Sequence, residues 1–344
     1  MNQDADRQRR SRATGRRTLA DVAREAGVSP ITASRALRGT RGVDPALVSR
    51  VQEAAERLHY VPDPAARALA SARSAHVAVL IPLLSNALFV DLLDAVQRTL
   101  MPAGYLTLIG VTHYDAAEEE ALLRNYLAHR PSGLLVTGFD RTPAAAALIA
   151  ASGVPCVHLM ETGSVAGVYS VGLSQQAAGR AITEHLLAGG RRRIAFAAAQ
   201  LDPRVMQRLA GYREALQRAG CHDPALELLD PQPSSLALGA RLFERLLARH
   251  PEVDAVFFCN DDLAQGGLLA ALRLGVEVPR RLAVVGFNDL AGSDQMLPPL
   301  TTVRTPRAEI GRAAAAMLLR LMRGETVAPA SLDLGFELVV RASS

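Results

Sequence analysis

The chain has 344 residues, and its 38 Lys and Arg against 34 Asp and Glu give a formal net charge of +4. A hydrophobic content of 49% is enough for sizeable cores, and the length suggests two domains or three. No apolar run reaches the roughly 18 residues that a membrane-spanning helix needs, which argues against an integral membrane protein.

The charge is unevenly distributed, because residues 1–75 carry 14 Arg against eight Asp and Glu. A basic N-terminal part on a nearly neutral chain is typical of a nucleic-acid-binding protein. The first 17 residues are charged but no apolar segment follows them, so a secretory signal is not expected. The three cysteines lie at no metal-ligand spacing, and we expect reduced thiols in a cytoplasmic protein without a bound metal or cofactor.

Residues 1–17 are rich in Arg and polar residues and are predicted to form a disordered basic tail. Residues 18–39 then predict two short helices joined by a tight turn. The first carries an apolar stripe with helical spacing, begins at a cap formed by Thr18 and ends at Gly27. Ser29 caps the second helix, with Pro30 at its first position. So short a connection forces the two helices to cross steeply, as in a helix-turn-helix motif.

In that motif the second helix enters the major groove of DNA. Its Arg35 can reach guanine O6 and N7, its small hydroxyls can donate to phosphates, and its first residues offer apolar contacts. The alternative is an ordinary helical hairpin with a solvated Arg, but the combination of caps, turn glycine and Arg favours DNA binding. The candidate DNA contacts in this segment are Thr18, Ser29, Pro30, Ile31, Thr32, Ser34 and Arg35.

The segment ADVAREAGVSPITASRAL resembles the DNA-binding head of the lactose-repressor (LacI) family of bacterial transcription regulators. The resemblance extends from Thr18 almost to the end of the chain. It implies an all-α helix-turn-helix head, followed by a two-lobed α/β core similar to periplasmic binding proteins, with doubly wound parallel sheets. It also implies a homodimer on a pseudo-palindromic, double-stranded operator.

A third helix is predicted to begin at the Asp44 cap and to end at Tyr60–Pro62, completing a helix-turn-helix domain over residues 18–62. Residues 63–75 contain a helix too short to be stable alone. In the family that the chain resembles, this segment is a hinge helix that folds on operator DNA, and Leu69 matches the leucine that enters the minor groove. A plain linker is the alternative.

From residue 76 to residue 344, short apolar runs alternate with helical stretches, which predicts βαβ units and a parallel sheet. There are too many units for one small sheet, so we expect two lobes with the chain crossing between them more than once. The predicted helices include Ala116–His129, Gln175–Leu187, Leu236–Arg249 and Arg307–Arg323, and one last apolar segment is Leu332–Arg341. The ligand cleft should lie beyond the carboxyl ends of the strands.

Polar residues follow several of these strands, and the resemblance implies that they face a small effector. In the first half of the chain they are Ser85, Asn86, the nearby aromatic Phe89 and, after a later strand, Glu161. A carboxylate there can accept hydrogen bonds from sugar hydroxyls. The alternative for each polar residue is a helix cap or a solvated side chain.

In the second half, Arg208 matches the effector-binding Arg of the family, in the segment RLAGY. Arg204 is a second candidate, and two guanidinium groups in one cleft suit a carboxylate or phosphate. Asn260 matches an Asn that contacts the ligand. Asn288 stands where the family commonly has an Asp that binds sugar hydroxyls, a departure that argues against a neutral sugar.

Three further stretches resemble the gluconate-repressor branch of the family, namely HLME at 158–161, LDPR at 201–204 and LDLGF at 332–336. The resemblance implies a repressor of a sugar-acid operon that an effector such as gluconate releases from DNA. A co-repressor that tightens DNA binding, and a regulator of another carbohydrate pathway, remain alternatives. A solute-binding protein for a transporter is disfavoured by the head, and no catalytic motif predicts an enzyme.

Overall fold

The structure, a computed structural model, describes residues 17–39, 42–61, 74–85, 87–163 and 167–344. It divides into two compact units, Met1–Ser74 and Ala75–Ser344. The predicted hinge residue Leu69, the cleft residue Asn86 and all but the last residue of the predicted tail lie outside the described residues.

The N-terminal unit, called the head below, contains helices α1 (Leu19–Glu25), α2 (Pro30–Leu37) and α3 (Pro45–Arg57). Their predicted starts are confirmed, since Thr18 and Asp21 form a reciprocal capping box at α1 and the other two helices begin at capped prolines. Small side chains allow the three helices to approach closely. The buried core consists of Val22, Ala23, Ala26, Ala33, Ala36, Val51, Ala54 and Ala55.

The predicted end of α3 at Tyr60–Pro62 is wrong, because the helix already ends at Arg57. His59 adopts a left-handed conformation with φ of 47°. The amide of Tyr60 donates to the carbonyl of Ala55 at 2.8 Å. This Schellman motif satisfies the last carbonyls and stops the helix before the proline is reached.

The first lobe of the second unit, the N-terminal lobe, is built on a six-stranded sheet with the order β11-β5-β4-β3-β1-β2. Its described pairings are all parallel. The strands are β1 (His76–Ile81), β2 (Leu106–Val111), β3 (Gly133–Thr137), β4 (Cys156–Leu159), β5 (Tyr169–Gly172) and β11 (Ser331–Asp333). The helices of this lobe are α4 (Ala87–Leu100), α5 (Ala116–Ala128), α6 (Pro143–Ser152) and α11 (Arg307–Met322), with a 3₁₀ turn at Met101–Ala103.

The second lobe, the C-terminal lobe, repeats this arrangement with the order β12-β10-β9-β8-β6-β7, in which only β12 is antiparallel to its neighbour. The strands are β6 (Ile194–Ala199), β7 (Glu227–Asp230), β8 (Ala255–Phe258), β9 (Ala283–Asn288), β10 (Thr301–Arg304) and β12 (Glu337–Val339). The helices are α7 (Gln175–Ala188), α8 (Pro203–Arg218), α9 (Leu236–Arg249) and α10 (Asp261–Leu274), with 3₁₀ turns at Pro224–Leu226 and Ser293–Gln295.

The chain crosses between the lobes three times, after β5, after β10 and between β11 and β12. The prediction of repeated crossing is therefore confirmed. The last apolar segment, predicted as one element over Leu332–Arg341, is instead two three-residue strands, one in each sheet. Asp333 and Gly335 form a turn between them, with the Gly335 amide bonded to the carboxylate at 2.8 Å. That turn redirects the chain from one lobe to the other.

Strands β1, β3 and β6 are buried along almost their whole length, as expected for parallel strands covered by helices on both faces. The segments after β3 and β4 contact the segment after β6, because Asp140 and Glu161 both bind Arg204. The carboxyl ends of the two sheets therefore meet at the boundary between the lobes. This is where ligands of open α/β sheets bind.

Candidate functional site

The outer face of α2 in the head presents the residues predicted to touch DNA. Ala33 and Ala36 point into the core, which leaves Pro30, Ile31 and Arg35 exposed on the opposite face. Ile31 keeps 73% of its surface exposed, which leaves its side chain available for an apolar contact. Thr32 and Ser34 are half-buried beside them.

Thr18 and Ser29 have local partners. The Thr18 hydroxyl donates to Asp21 at 2.8 Å, and the Ser29 hydroxyl accepts from the Thr32 amide at 3.1 Å. The helix-capping interpretation thus holds for both, and their contact with DNA stays a prediction. Sequence reasoning missed Arg50, whose guanidinium donates to the carbonyl of Ala26 at 2.6 Å and anchors the turn between α1 and α2.

Between the lobes lies a cavity of about 180 Å³. Its volume is below the roughly 300–1,000 Å³ of sites for drug-sized ligands and suits a small, compact molecule. Most of its lining side chains offer hydroxyl, amide or carboxylate groups. The lining comprises Leu83, Ser85, Ala87 and Tyr114 of the N-terminal lobe, with Gln200, Ser234, Asn260, Asp262, Gln265, Leu290 and Ala291 of the C-terminal lobe.

Arg208, on α8, lies directly behind the cavity wall. Only 4% of the residue is exposed, and its guanidinium stacks on the Phe287 ring at 3.8 Å. Nε donates to Gln175 at 2.8 Å, while Nη1 donates to the Cys259 carbonyl at 2.7 Å and to Asn260 Oδ1 at 2.9 Å. Burial lowers the pKa of this guanidinium. A desolvated cation with such fixed donors binds an anionic oxygen strongly.

Asn288 reaches the same oxygen from the end of β9. Its Nδ2 donates to Asn260 Oδ1 at 3.2 Å, and its own Oδ1 accepts from Thr305 at 3.1 Å. The backbone carbonyl of Asn288 accepts from Arg307. Asn288 has a φ of 108°, in a region that L-residues rarely adopt, so these bonds hold a strained turn in place.

Arg204, at the start of α8, contacts three carboxylates. Its guanidinium lies 2.8 Å from Asp140, 3.1 Å from Glu161 and 3.0 Å from Asp202. Burial acts against the charge, but these carboxylates raise the pKa of Arg204 above its ordinary value. Gly138 leaves the room for this cluster, since a Cβ there would lie 2.1 Å from Arg204 Nη1.

The expectation of two guanidinium groups open to one ligand therefore needs correction. Arg204 is neutralised by carboxylates from both lobes and links the lobes to each other, whereas Arg208 donates to Asn260 of the cavity wall. Glu161 is likewise engaged, because its second oxygen accepts from Gln207 at 2.6 Å. Phe89 does not line the cavity but is buried on α4 among apolar side chains, with 3% of its surface exposed.

Asp261 was not predicted as a functional residue, although it lies between Asn260 and Asp262. Its fully buried carboxylate accepts from the Thr302 hydroxyl at 2.6 Å, the Leu290 amide at 2.6 Å and the Ser293 hydroxyl at 2.9 Å. Burial raises its pKa to about 6. These bonds position the loop that carries Leu290 and Ala291 to the cavity wall.

Tyr114, Gln200, Ser234 and Gln265 line the cavity but were also missed. The signal available for Tyr114 and Gln200 was their position shortly after apolar runs, at the strand ends. His158 is 8% exposed, donates to the carbonyl of Gly138 at 2.8 Å and stacks on Phe139 at 4.4 Å. Burial lowers its pKa to about 4, so it is a neutral interior residue.

Comparisons with known proteins identify the family to which this chain belongs. The model of bacterial regulatory proteins, lacI family, matches residues 18–63, and the model of a periplasmic binding protein-like domain matches residues 183–344. The HTH-type transcriptional regulator GntR of Pseudomonas aeruginosa is 58% identical over 334 residues, which are 97% of each chain. The chain belongs to the LacI family. It is a DNA-binding transcriptional regulator rather than an enzyme.

Two solved structures extend the comparison. The transcription regulator GntR from Chromobacterium violaceum is 50% identical, with a TM-score of 0.77, and the match covers 78% of this chain and 99% of that one. The lac repressor dimer bound to operator and the anti-inducer ONPF is 27% identical, with a TM-score of 0.85 over 95% and 99% of the two chains. This LacI-family chain thus has the predicted fold, an all-α head and two parallel-sheet lobes.

Within the described ranges, no helix of the regulator is both long and apolar enough to cross a membrane. No three His, Cys, Asp or Glu side chains come together as metal ligands in the part of the chain that the structure describes. The three cysteines are free thiols.

Proposed function

We propose that this LacI-family regulator represses a sugar-acid operon and is released from its operator by a small effector of the gluconate type. The branch that its sequence resembles supports the effector class, as do the relatives named GntR. The observation that carries the proposal is the pair of donors, Arg208 and Asn288, that converge on Asn260 at the cavity wall.

Asn260 Oδ1 occupies a place where an anionic oxygen would be well bound. It accepts from Arg208 Nη1 at 2.9 Å and from Asn288 Nδ2 at 3.2 Å. A ligand carboxylate at the adjacent cavity can take over these donors, and the amide at position 288 donates where an Asp could only accept. The neutral lining side chains, such as Ser85 and Gln265, then serve the hydroxyl groups.

A neutral sugar is the second candidate. Asp262 is the charged residue among the described side chains that line the cavity, and its carboxylate suits hydroxyl donors. The charge of Arg204 is already balanced by three carboxylates. The two candidates differ in whether binding requires a carboxylate group on the ligand.

On the DNA side, we propose that α2 enters the major groove. Arg35 would bind guanine and Ile31 a thymine methyl group, while the hydroxyls of the same helix contact phosphates. Leu69 would enter the minor groove from a hinge helix. A cytoplasmic homodimer would place two heads on a pseudo-palindromic operator, and the operator-bound lac repressor dimer supports this arrangement.

The effector assignment is tested by calorimetric titration of the full chain with gluconate, glucose and 6-phosphogluconate. We expect gluconate to bind more tightly than glucose, because a carboxylate accepts from the Arg208 guanidinium more strongly than a neutral hydroxyl does. Arg208→Met should abolish this preference. Arg213→Met is the matched control on the same helix, since Arg213 pairs with Glu227 within the C-terminal lobe. Equal affinities for gluconate and glucose would contradict the sugar-acid assignment.

A further inference from the structure

Gln175 is the first residue of α7, directly after the first crossing from the N-terminal to the C-terminal lobe. Gln175 is fully buried, and both ends of its side-chain amide are hydrogen-bonded. Oε1 accepts from Arg208 Nε in the C-terminal lobe at 2.8 Å, and Nε2 donates to the carbonyl of Met160 in the N-terminal lobe at 3.0 Å. One side chain thus joins the cation behind the cavity to the opposite lobe.

The N-terminal-lobe end of this link lies on a constrained segment. Met160 has a φ of 72°, a left-handed conformation that is unfavourable for a residue with a side chain. The next residue is Glu161, whose carboxylate binds Arg204 and Gln207 of the C-terminal lobe. Gly172 packs against the same peptide, since a Cβ there would lie 2.2 Å from the Glu161 amide nitrogen.

The bond from Gln175 favours this left-handed conformation, because a rotated Met160 peptide would no longer present its carbonyl to the amide. The peptide also sets the direction from which Glu161 reaches Arg204. Met160–Glu161 is therefore the segment through which Gln175 contacts the N-terminal lobe and can change the position of Glu161.

The C-terminal-lobe end of the link contacts the cavity wall. Arg208 donates through Nη1 to Asn260, which lines the cavity, and through Nε to Gln175. The guanidinium is planar and rigid, so a shift of Nη1 toward a ligand oxygen also moves Nε. A ligand that moved Arg208 in this way would therefore also move the acceptor contact at the amide of Gln175.

We infer that Gln175 is the positioning residue that transmits effector occupancy from Arg208 to the Met160–Glu161 segment of the N-terminal lobe. This inference rests on the proposed function, because it requires that an effector binds beside Arg208. It assigns to Gln175 the coupling between the two ligands rather than the affinity for either one. An amide is needed, because the residue must accept from a guanidinium and donate to a carbonyl.

The substitution Gln175→Glu separates the two halves of the link. A carboxylate still accepts from Arg208 but, when ionised, cannot donate to the Met160 carbonyl. Gln176→Glu is the matched control, because Gln176 is an exposed neighbour whose amide bonds to Glu214 within the C-terminal lobe. Gluconate is the probe, and operator affinity is measured by fluorescence anisotropy with and without it.

We expect gluconate to weaken operator binding of the wild type and of Gln176→Glu by a factor within the usual range of about 5–150. For Gln175→Glu, that factor should fall below about threefold, while calorimetry still shows gluconate binding to the free protein. Hydrogen exchange at residues 159–163 should be faster in Gln175→Glu than in the control without any effector, which tests the link independently.

A full response of Gln175→Glu to gluconate, with unchanged exchange at 159–163, would overturn the inference. Complete loss of gluconate binding would also overturn it, because Gln175 would then only support the site. If Gln175→Glu does not fold, Gln175→Met removes both bonds without a buried charge and should show the same loss of response. If operator binding of the wild type did not change with gluconate, the proposed function would be contradicted. The hydrogen-exchange comparison needs no effector, so it would still test whether Gln175 stabilises the Met160–Glu161 segment.

Discussion

Replacing Arg204 by Ala tests whether the buried ion cluster holds the two lobes together. Arg204 has 7% of its side chain exposed, and Glu161 and Asp202 have 5% and 8%. The substitution leaves three carboxylates without their cation, a change that typically costs about 3–5 kcal/mol in a buried pair. Because Asp140 retains 29% exposure and can be hydrated, we expect the lower end, about 3 kcal/mol.

Thermal unfolding followed by circular dichroism measures this effect. In a unit of this size, Tm falls by about 2–4 °C for each kcal/mol lost from the free energy of unfolding. Arg204→Ala should therefore lower Tm by about 6–12 °C. Arg98→Ala is the control, because the ion pair of Arg98 with Asp94 is exposed on α4 and should leave Tm unchanged. If the two variants melted at the same temperature, the cluster would not stabilise the lobes and our reasoning about Arg204 would be refuted.

Three other predictions concern the head, the cleft and the interior. Arg35→Ala should weaken operator binding by about 1–3 kcal/mol and relax specificity at one base pair in a competition gel shift; uniform weakening across all sequences would indicate a phosphate contact instead. Arg208→Ala should remove the gluconate response but keep operator affinity, and a variant that responds at wild-type concentrations would contradict the effector role. His158 has a pKa lowered to about 4 from 6.5, so protonation favours the unfolded chain and up to about 3 kcal/mol of stability is lost as pH falls from 6.5 toward 4. His158→Gln should flatten this part of the stability profile in denaturant titrations, whereas an unchanged slope would assign the loss to other groups.

Local sequence signals predicted the head well, because caps and turn glycines act within a few residues. Ser29 and Asp44 cap the helices as expected. The end of α3 was missed because a His rather than a glycine adopts the left-handed conformation there. Such a conformation at a residue with a side chain leaves no compositional signal.

In the core, long apolar runs such as that of β6 identified the strands, while the short β5, β7 and β10 were not predicted. Among the residues chosen at strand ends, Ser85 and Asn260 line the cavity between the lobes, and their contact with an effector stays a prediction. The ion pairing of Arg204 could not be predicted, because its partners Asp140 and Glu161 lie 64 and 43 residues away in the chain. Pairing across lobes depends on tertiary geometry, which spacing along the chain does not reveal.

Operator binding by the full-length wild type, with and without gluconate, tests the central claim most directly. Duplexes from the promoter regions beside its own gene are the first substrates to try, at fixed salt because phosphate contacts depend on ionic strength. Our account predicts tight, sequence-selective binding to one of these duplexes and at least about fivefold weaker binding when gluconate is added. Binding without preference among the duplexes, and without any response to gluconate, would contradict it.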